Sequence, residues 1–282
     1  MLRPAGRAFC AAALLLMLAG CTSQQPGPGS VPSSTASSGA AGGATPASTA
    51  PTSLAPSASA GSATSLQAAT TPAKPASTPK PSGFDFSARS LDDPTSLWVV
   101  VDKRRPLRPR TYVPPDLVTP QVPHTNVPQL RKVAATALVT MFAAAKRDGV
   151  TLYSLSAYRS YATQKSIFDR NLASLGRATT LNLTAKPGYS EHQTGLADDL
   201  GDGSSCDLQV CFESHRAAKW LAANSWRYGW VLRYPLGYTR ITGIQTEPWH
   251  FRYIGTPAAT EMHRTGVKTL EQFFGLPASP DY

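Results

Sequence analysis

The sequence predicts an α+β fold in which a small central antiparallel sheet is flanked by helices. Three observations lead there. Apolar residues at Leu130, Val133, Ala134, Ala137, Leu138, Met141, Phe142 and Ala145 recur at the 3.6-residue spacing of one helical face. Short β-branched and aromatic runs at 152–158, 229–234 and 247–254 read as strands. These helices and strands succeed one another without the regular βαβ rhythm of a parallel sheet.

Taken in order, residues 96–101 (Ser-Leu-Trp-Val-Val-Val) form a β-branched run, and the Pro-rich stretch 106–128 reads as an irregular segment that wraps the domain. The stripe over 127–148 is an amphipathic helix closed by Gly149. A strand at 152–158, a second helix at 162–175 ending at Gly176 and a third at 213–224 follow. Strands at 229–234 and 247–254 then precede short helices after Pro257.

The first 83 residues stand apart. Arg3 and Arg7, an apolar run over 8–18 and then Leu18-Ala19-Gly20-Cys21 have the layout of a secretory signal, too short to span a bilayer. Leu-Ala-Gly-Cys resembles a bacterial lipobox, which implies a signal peptide over 1–20 and a lipidated Cys21 as first mature residue. Residues 22–83 are mostly Ser, Thr, Ala, Pro and Gly with no aromatic side chain. Such a segment buries too little apolar surface to offset its ordering entropy, so 21–83 reads as a lipidated, disordered tether. Its coil span is on the order of 40 to 50 Å. The expected location is the bacterial cell envelope, on the outer face of the cytoplasmic membrane or as a periplasmic lipoprotein in a Gram-negative cell.

All 17 Asp and Glu fall in 84–282, where 23 Lys and Arg leave a net charge of +6. That stretch is one domain with a sizeable core, read as a monomer. So mild a charge, without Lys/Arg runs or a nucleic-acid motif, does not call for DNA or RNA, so no nucleic-acid partner is expected, and it permits acidic wall polymers. With Cys10 in the signal and Cys21 taken by lipid, Cys206 and Cys211 remain, and in an exported domain they read as a local disulfide. The same pair could open a zinc site, but there is no second pair of thiols to complete it.

Five histidines are present, and their surroundings differ. His192 lies in Ser190-Glu191-His192-Gln193-Thr194-Gly195-Leu196-Ala197-Asp198-Asp199, and His250 in Glu247-Pro248-Trp249-His250. Two His and one Asp make a three-ligand set that leaves zinc's fourth position open, the mark of a catalytic site. His192 and Asp199 are an odd seven apart and converge only if the chain bends, which Gly195 permits. On the strand beyond it Ala197 and Asp199 share a face and Asp198 takes the other. Pro248 cannot donate to a ladder, so Glu247 should start its strand or sit at a bulge, free to lean toward metal-bound water. His124, His215 and His263 lack such company and read as surface residues.

Ser-x-His-x-x-Gly-x-Ala-x-Asp followed by Glu-x-x-His resembles the zinc D-alanyl-D-alanine carboxypeptidases of the VanY type, and Ser156-Ala157-Tyr158-Arg159-Ser160-Tyr161-Ala162-Thr163-Gln164 matches a third family segment upstream. The resemblance covers roughly 95–257. It departs at Ala157, where relatives often have Gly, and at Asp198, where they often have an aliphatic residue. It implies a hedgehog/DD-peptidase-like fold and one Zn²⁺ held by His192, Asp199 and His250. It further implies Glu247 as base, and Ser190, Arg159 and Gln164 as contacts to peptidoglycan stem peptides. Arg159 has two chemical uses there, a fork for a substrate carboxylate or a donor to the oxyanion.

Three rivals remain at this level. L,D-carboxypeptidases and cross-link endopeptidases share the chemistry. A serine peptidase needs Ser-x-x-Lys, found as Ser77-Thr78-Pro79-Lys80 in the tether, where proline and composition speak against it. A non-catalytic, zinc-stabilised wall-binding module has no use for Glu247.

Overall fold

The computed structural model describes residues 83–282. The predicted signal peptide, Cys21 and all of the tether except Gly83 lie outside the described residues.

Strands β1 (Leu117–Val118) and β2 (Leu130–Arg131) pair as a two-residue antiparallel ribbon leading straight into helix α1 (Lys132–Arg147). The apolar stripe alone starts this helix at 127. Pairing with Val118 and Leu117 keeps Leu130 and Arg131 extended, which delays it to Lys132. Helix α1 buries Ala134, Ala135, Leu138, Met141, Phe142, Ala144 and Ala145, and ends on Lys146 and Arg147, cations that complement its dipole.

Strand β3 (Tyr153–Ser156) precedes α2 (Tyr161–Leu183), whose N-terminus is capped by the Ser160 hydroxyl accepting from the Thr163 amide at 3.1 Å. The end expected at Gly176 is a kink instead: Gly176 adopts φ 74°, ψ 168°, and helical backbone resumes as far as Leu183. After β4 (Ala197–Gly201), the Cys206–Cys211 disulfide forms with a Cα–Cα distance of 5.5 Å. A 3₁₀ turn at Val210–Ser214 then takes up the first residues of the helix expected from 213, and α3 spans Arg216–Asn224. The chain finishes with β5 (Trp230–Tyr234), α4 (Thr239–Thr242), β6 (Glu247–Tyr253), α5 (Thr256–Thr265) and α6 (Leu270–Phe273).

The central sheet is antiparallel throughout, in the order β3-β4-β6-β5. Strand alternation sorts its side chains. Trp249, Phe251 and Tyr253 of β6, with Leu200 of β4 and Trp230 of β5, pack into a core with Leu138, Met141 and Leu221 of α1 and α3. His250 and Arg252, the intervening residues of β6, are thereby turned to the opposite face. Val231 joins a second cluster with Trp98, Val100, Ile254, Met262 and Phe273. Among the described residues no helix is long and apolar enough to cross a membrane.

The β-branched run at 96–101 is not a ladder strand, although its side chains alternate as in one. Val99 and Val101 enter the first core, Trp98 and Val100 the second. Three of its carbonyls are taken by side chains, while the Val100 amide donates to the Leu91 carbonyl at 3.0 Å. Arg252 Nη2 donates to the carbonyls of Leu97 (3.1 Å) and Val99 (2.7 Å), and Arg105 Nε to that of Val100 (3.3 Å). Near the start of the described residues, Phe84 already stacks near Trp98 (5.3 Å between centroids) and Phe273 (5.6 Å). Deleting 22–83 should therefore leave the melting temperature and the turnover of a small peptide unchanged. Extending the deletion through Phe86 should cost about 2 kcal/mol, the scale of one buried aromatic side chain, measurable by denaturant unfolding.

Candidate active site

The bend that the sequence requires between His192 and Asp199 is built by a 3₁₀ turn, Glu191–Thr194, closed by Gly195 at φ 65°. A Cβ at Gly195 would lie 2.9 Å from Leu117 Cδ2 and 3.1 Å from Arg131 Cγ, so both the dihedral and the close approach call for glycine. From there β4 runs beside β6 with Asp199 opposite His250. Asp198, one residue earlier, points to the other face and is held by the Ser154 hydroxyl at 2.9 and 2.8 Å to its two oxygens. Burial pushes its carboxyl well above the usual range. The expected split between the two aspartates is what the strand delivers.

His192 Nδ1 lies 2.7 Å from the Ala157 carbonyl, a group that can only accept, so Nδ1 carries the hydrogen and Nε2 keeps a free lone pair. That Nε2 is 3.5 Å from Asp199 Oδ2, and His250 Nδ1 is 3.2 Å from Asp199 Oδ1. One ligand atom from each of the three residues falls within 4.8 Å of the others, all buried. His192 Nε2 and Asp199 Oδ1 have no hydrogen-bond partner, an arrangement that costs about 1–3 kcal/mol per atom unless something fills the gap. Zinc bonds of about 2.0–2.2 Å in a tetrahedron set ligand atoms roughly 3.3–3.6 Å apart. The 3.5 and 3.2 Å separations of the two imidazoles from the Asp199 carboxylate lie close to that range, and the donor set of two imidazoles and a carboxylate is one that zinc takes.

The electrostatics match a cation site. Burial and the Arg159 charge depress His192 to about 4, which keeps it neutral for ligation. Although burial works against ionisation of Asp199, His192 and His250 hold its carboxyl well below the usual range. Burial likewise opposes a charged His250, but the Asp199, Glu191 and Glu247 carboxylates around it outweigh that and raise the group to about 9.

Glu247 stands at the start of β6, where the β5–β6 register slips between Leu232 and Tyr234, as expected for a residue preceding Pro248. Its Oε2 is 3.5 Å from His250 Nδ1, beside the ligand set without belonging to it. Burial pushes it up to about 8. Arg159, Gln164, Ser190, Tyr234 and Glu247 line one polar pocket with the two histidines. Arg159 Nε is buried there without a partner, and its Nη2 is 3.9 Å from Asp199 Oδ2. Gln164 spends its amide Nε2 on the Ala185 carbonyl (2.8 Å) and leaves Oε1 buried and unpartnered. Every residue predicted for the site is thus gathered at it. His124, His215 and His263 are outside the ligand set; His215 pairs with Asp202 at 2.8 Å and His263 stacks on Trp226.

Sequence reasoning missed two groups. Tyr234 packs its ring 4.8 Å from that of His250. Glu191 sits in a fully buried chain of charges, accepting from Arg233 Nε (2.9 Å) and Arg252 Nη1 (2.8 Å), while Arg233 also forks onto Glu271 (2.6 and 3.0 Å). Arg233 and Arg252 in otherwise apolar strands were the available signal, since a buried guanidinium requires carboxylates.

The sequence profile described as VanY, D-alanyl-D-alanine carboxypeptidase, matches residues 127–256. The chain is 40% identical over 191 residues to YodJ of Bacillus subtilis (strain 168), named as a carboxypeptidase, covering 66% of this chain and 69% of that one. A D-alanyl-D-alanine carboxypeptidase of Enterococcus faecalis is 37% identical over 146 residues, about half of each protein (48% and 52%). Among solved structures, the LdcB LD-carboxypeptidase superposes with a TM-score of 0.60 at 40% identity, covering 64% of this chain and 87% of that one. The VanY D,D-pentapeptidase of a VanB-type resistance cassette, solved with Zn(II), does so at 0.54 and 31%, covering 64% and 98%. With the three motifs in order and their side chains assembled around one metal-ligand set, the chain belongs to the VanY family of zinc carboxypeptidases.

Proposed function

We propose that this enzyme removes the terminal D-alanine from peptidoglycan stem peptides ending in D-Ala-D-Ala. The observation that carries the reading is the pairing of an orphaned His192/Asp199/His250 donor set with Glu247 and a buried, unpartnered Arg159 Nε in one pocket. His192, Asp199 and His250 would hold the zinc, which would supply a Lewis acid for the scissile carbonyl and a water made nucleophilic near neutral pH. Glu247 takes the proton of the attacking water and hands it to the leaving amine. Ser190 and Gln164 Oε1 orient the peptide, and Arg159 reads its free C-terminal carboxylate.

Arg159→Ala should lower kcat/KM on free-acid peptides by about 10²-fold, the scale of removing one partner of a desolvated charge pair. Arg159→Lys should recover only part, since an ammonium lacks the planar fork. The wild type should discriminate strongly against a C-terminally amidated peptide. Equal cleavage of acid and amide assigns Arg159 to the oxyanion or the fold and favours endopeptidase action.

The second reading, an L,D-carboxypeptidase acting on tetrapeptide stems, has the likeness to LdcB in its favour. Mass spectrometry of muropeptides separates the two. Loss of one alanine from pentapeptides alone supports the D,D reading, and loss from tetrapeptides alone overturns it. The lipobox at Cys21 and the tether composition support attachment at the envelope, where the pocket reaches its polymer from a membrane anchor. Export also agrees with the Cys206–Cys211 disulfide.

A further inference from the structure

We propose that Glu191 is a positioning residue of the metal centre, its carboxylate accepting Nε2–H of His250 and thereby fixing which imidazole nitrogen faces the metal. The inference rests on the zinc reading above and concerns a residue that the three motifs leave without a role.

His250 is approached by carboxylates on both sides. Nδ1 faces Asp199 and Glu247, whereas Nε2 is 3.4 Å from Glu191 Oε2. Glu191 is held by two guanidinium groups, from Arg233 and Arg252, at 2.9 and 2.8 Å. A carboxylate so clamped is an acceptor only, so the nitrogen turned toward it must carry the hydrogen. The nitrogen of His250 left for the metal is then Nδ1, the atom that faces Asp199. His192 obtains the complementary outcome from a backbone carbonyl, that of Ala157 on its Nδ1. The two ligands therefore present opposite ring nitrogens, each set by an acceptor behind it.

The surrounding charges make this more than a buried ion pair. Glu191, Glu271, Arg233 and Arg252 carry two charges of each sign and are all 0% exposed at the side chain. A balanced buried network of this kind is weak as a source of stability, because apolar side chains of similar volume often serve as well. What an apolar cluster cannot provide is a fixed anion behind a ligand imidazole. Arg252 adds rigidity, donating also to the carbonyls of Leu97 and Val99.

The test is Glu191→Gln, with Glu271→Gln as its control. In Glu191→Gln the two guanidinium groups claim the amide oxygen and leave the NH₂ toward His250, which favours the wrong tautomer. Zinc affinity, measured by chelator competition without substrate, should fall about 10- to 100-fold, the usual weight of an outer partner of a ligand histidine. Glu271→Gln removes the same charge from the same network one guanidinium farther away and should leave affinity within about twofold. Equal affinities of wild type and a folded Glu191→Gln overturn the proposal, and so do equal losses in both variants. Nitrogen-15 spectra of the wild type with zinc decide it even if Glu191→Gln does not fold. They should show His250 protonated at Nε2 and bound through Nδ1, and the reverse assignment overturns the proposal. A wild type that takes up no zinc overturns the functional reading itself.

Discussion

Glu247→Gln should keep stoichiometric zinc and the native fold while kcat falls by ~10² or more, the usual scale for a positioned general base. Glu247 lies outside the ligand set, so the metal does not depend on its charge. The amide has the same shape and fits the same bulge before Pro248, where the β5–β6 register already slips. What it loses is the capacity to accept a proton from water, and its neighbours in the pocket do not substitute: His192 and His250 belong to the ligand set, Glu191 is clamped by Arg233 and Arg252, and Arg159 has no basic atom to offer. Elemental analysis and turnover of a stem peptide, measured on the same preparation, check both halves. Near-normal turnover would remove Glu247 from the mechanism.

The adjacent aspartates should behave in opposite ways. Asp199→Ala deletes a ligand that sits opposite His250 and within 3.5 Å of His192 Nε2, so zinc binding should weaken by more than the ~10–100-fold that outer partners command. Asp198→Asn should keep zinc and most activity. Its side chain is on the core face, engaged with the Ser154 hydroxyl, and burial already keeps the acid toward its neutral form, which an amide imitates. Zinc content after dialysis, with circular dichroism to verify folding, distinguishes the two. Equal loss in both variants means that the assignment of faces on β4 is wrong.

The site was legible because its instructions are local. Gly195 announces the bend, alternation separates Asp198 from Asp199, and Pro248 announces the irregular start of β6. The antiparallel sheet was legible for a related reason: short runs bounded by turn residues specify strands even where partners are unknown. What escaped were features settled by distant partners. Residues 96–101 look like a ladder strand, but the carbonyls of Leu97 and Val99 go to Arg252, more than 150 positions away. The ribbon that shortens α1 depends on Leu117 and Val118, which no periodicity marks. Glu191 escaped for the same reason, since Arg233, Arg252 and Glu271 come from three later elements.

The hydrogen bond from Arg252 to Val99 joins residues 153 positions apart. A contact of that separation contributes only after nearly the whole domain has closed into a loop, so it belongs to the late part of folding. The same guanidinium grips Glu191, which puts completion of the catalytic pocket at that late stage as well. A partly folded chain holds the histidines and aspartates but no finished cage for them. Zinc retention thus reports that folding has run to completion, and can serve as a conformational assay for variants whose secondary structure looks intact.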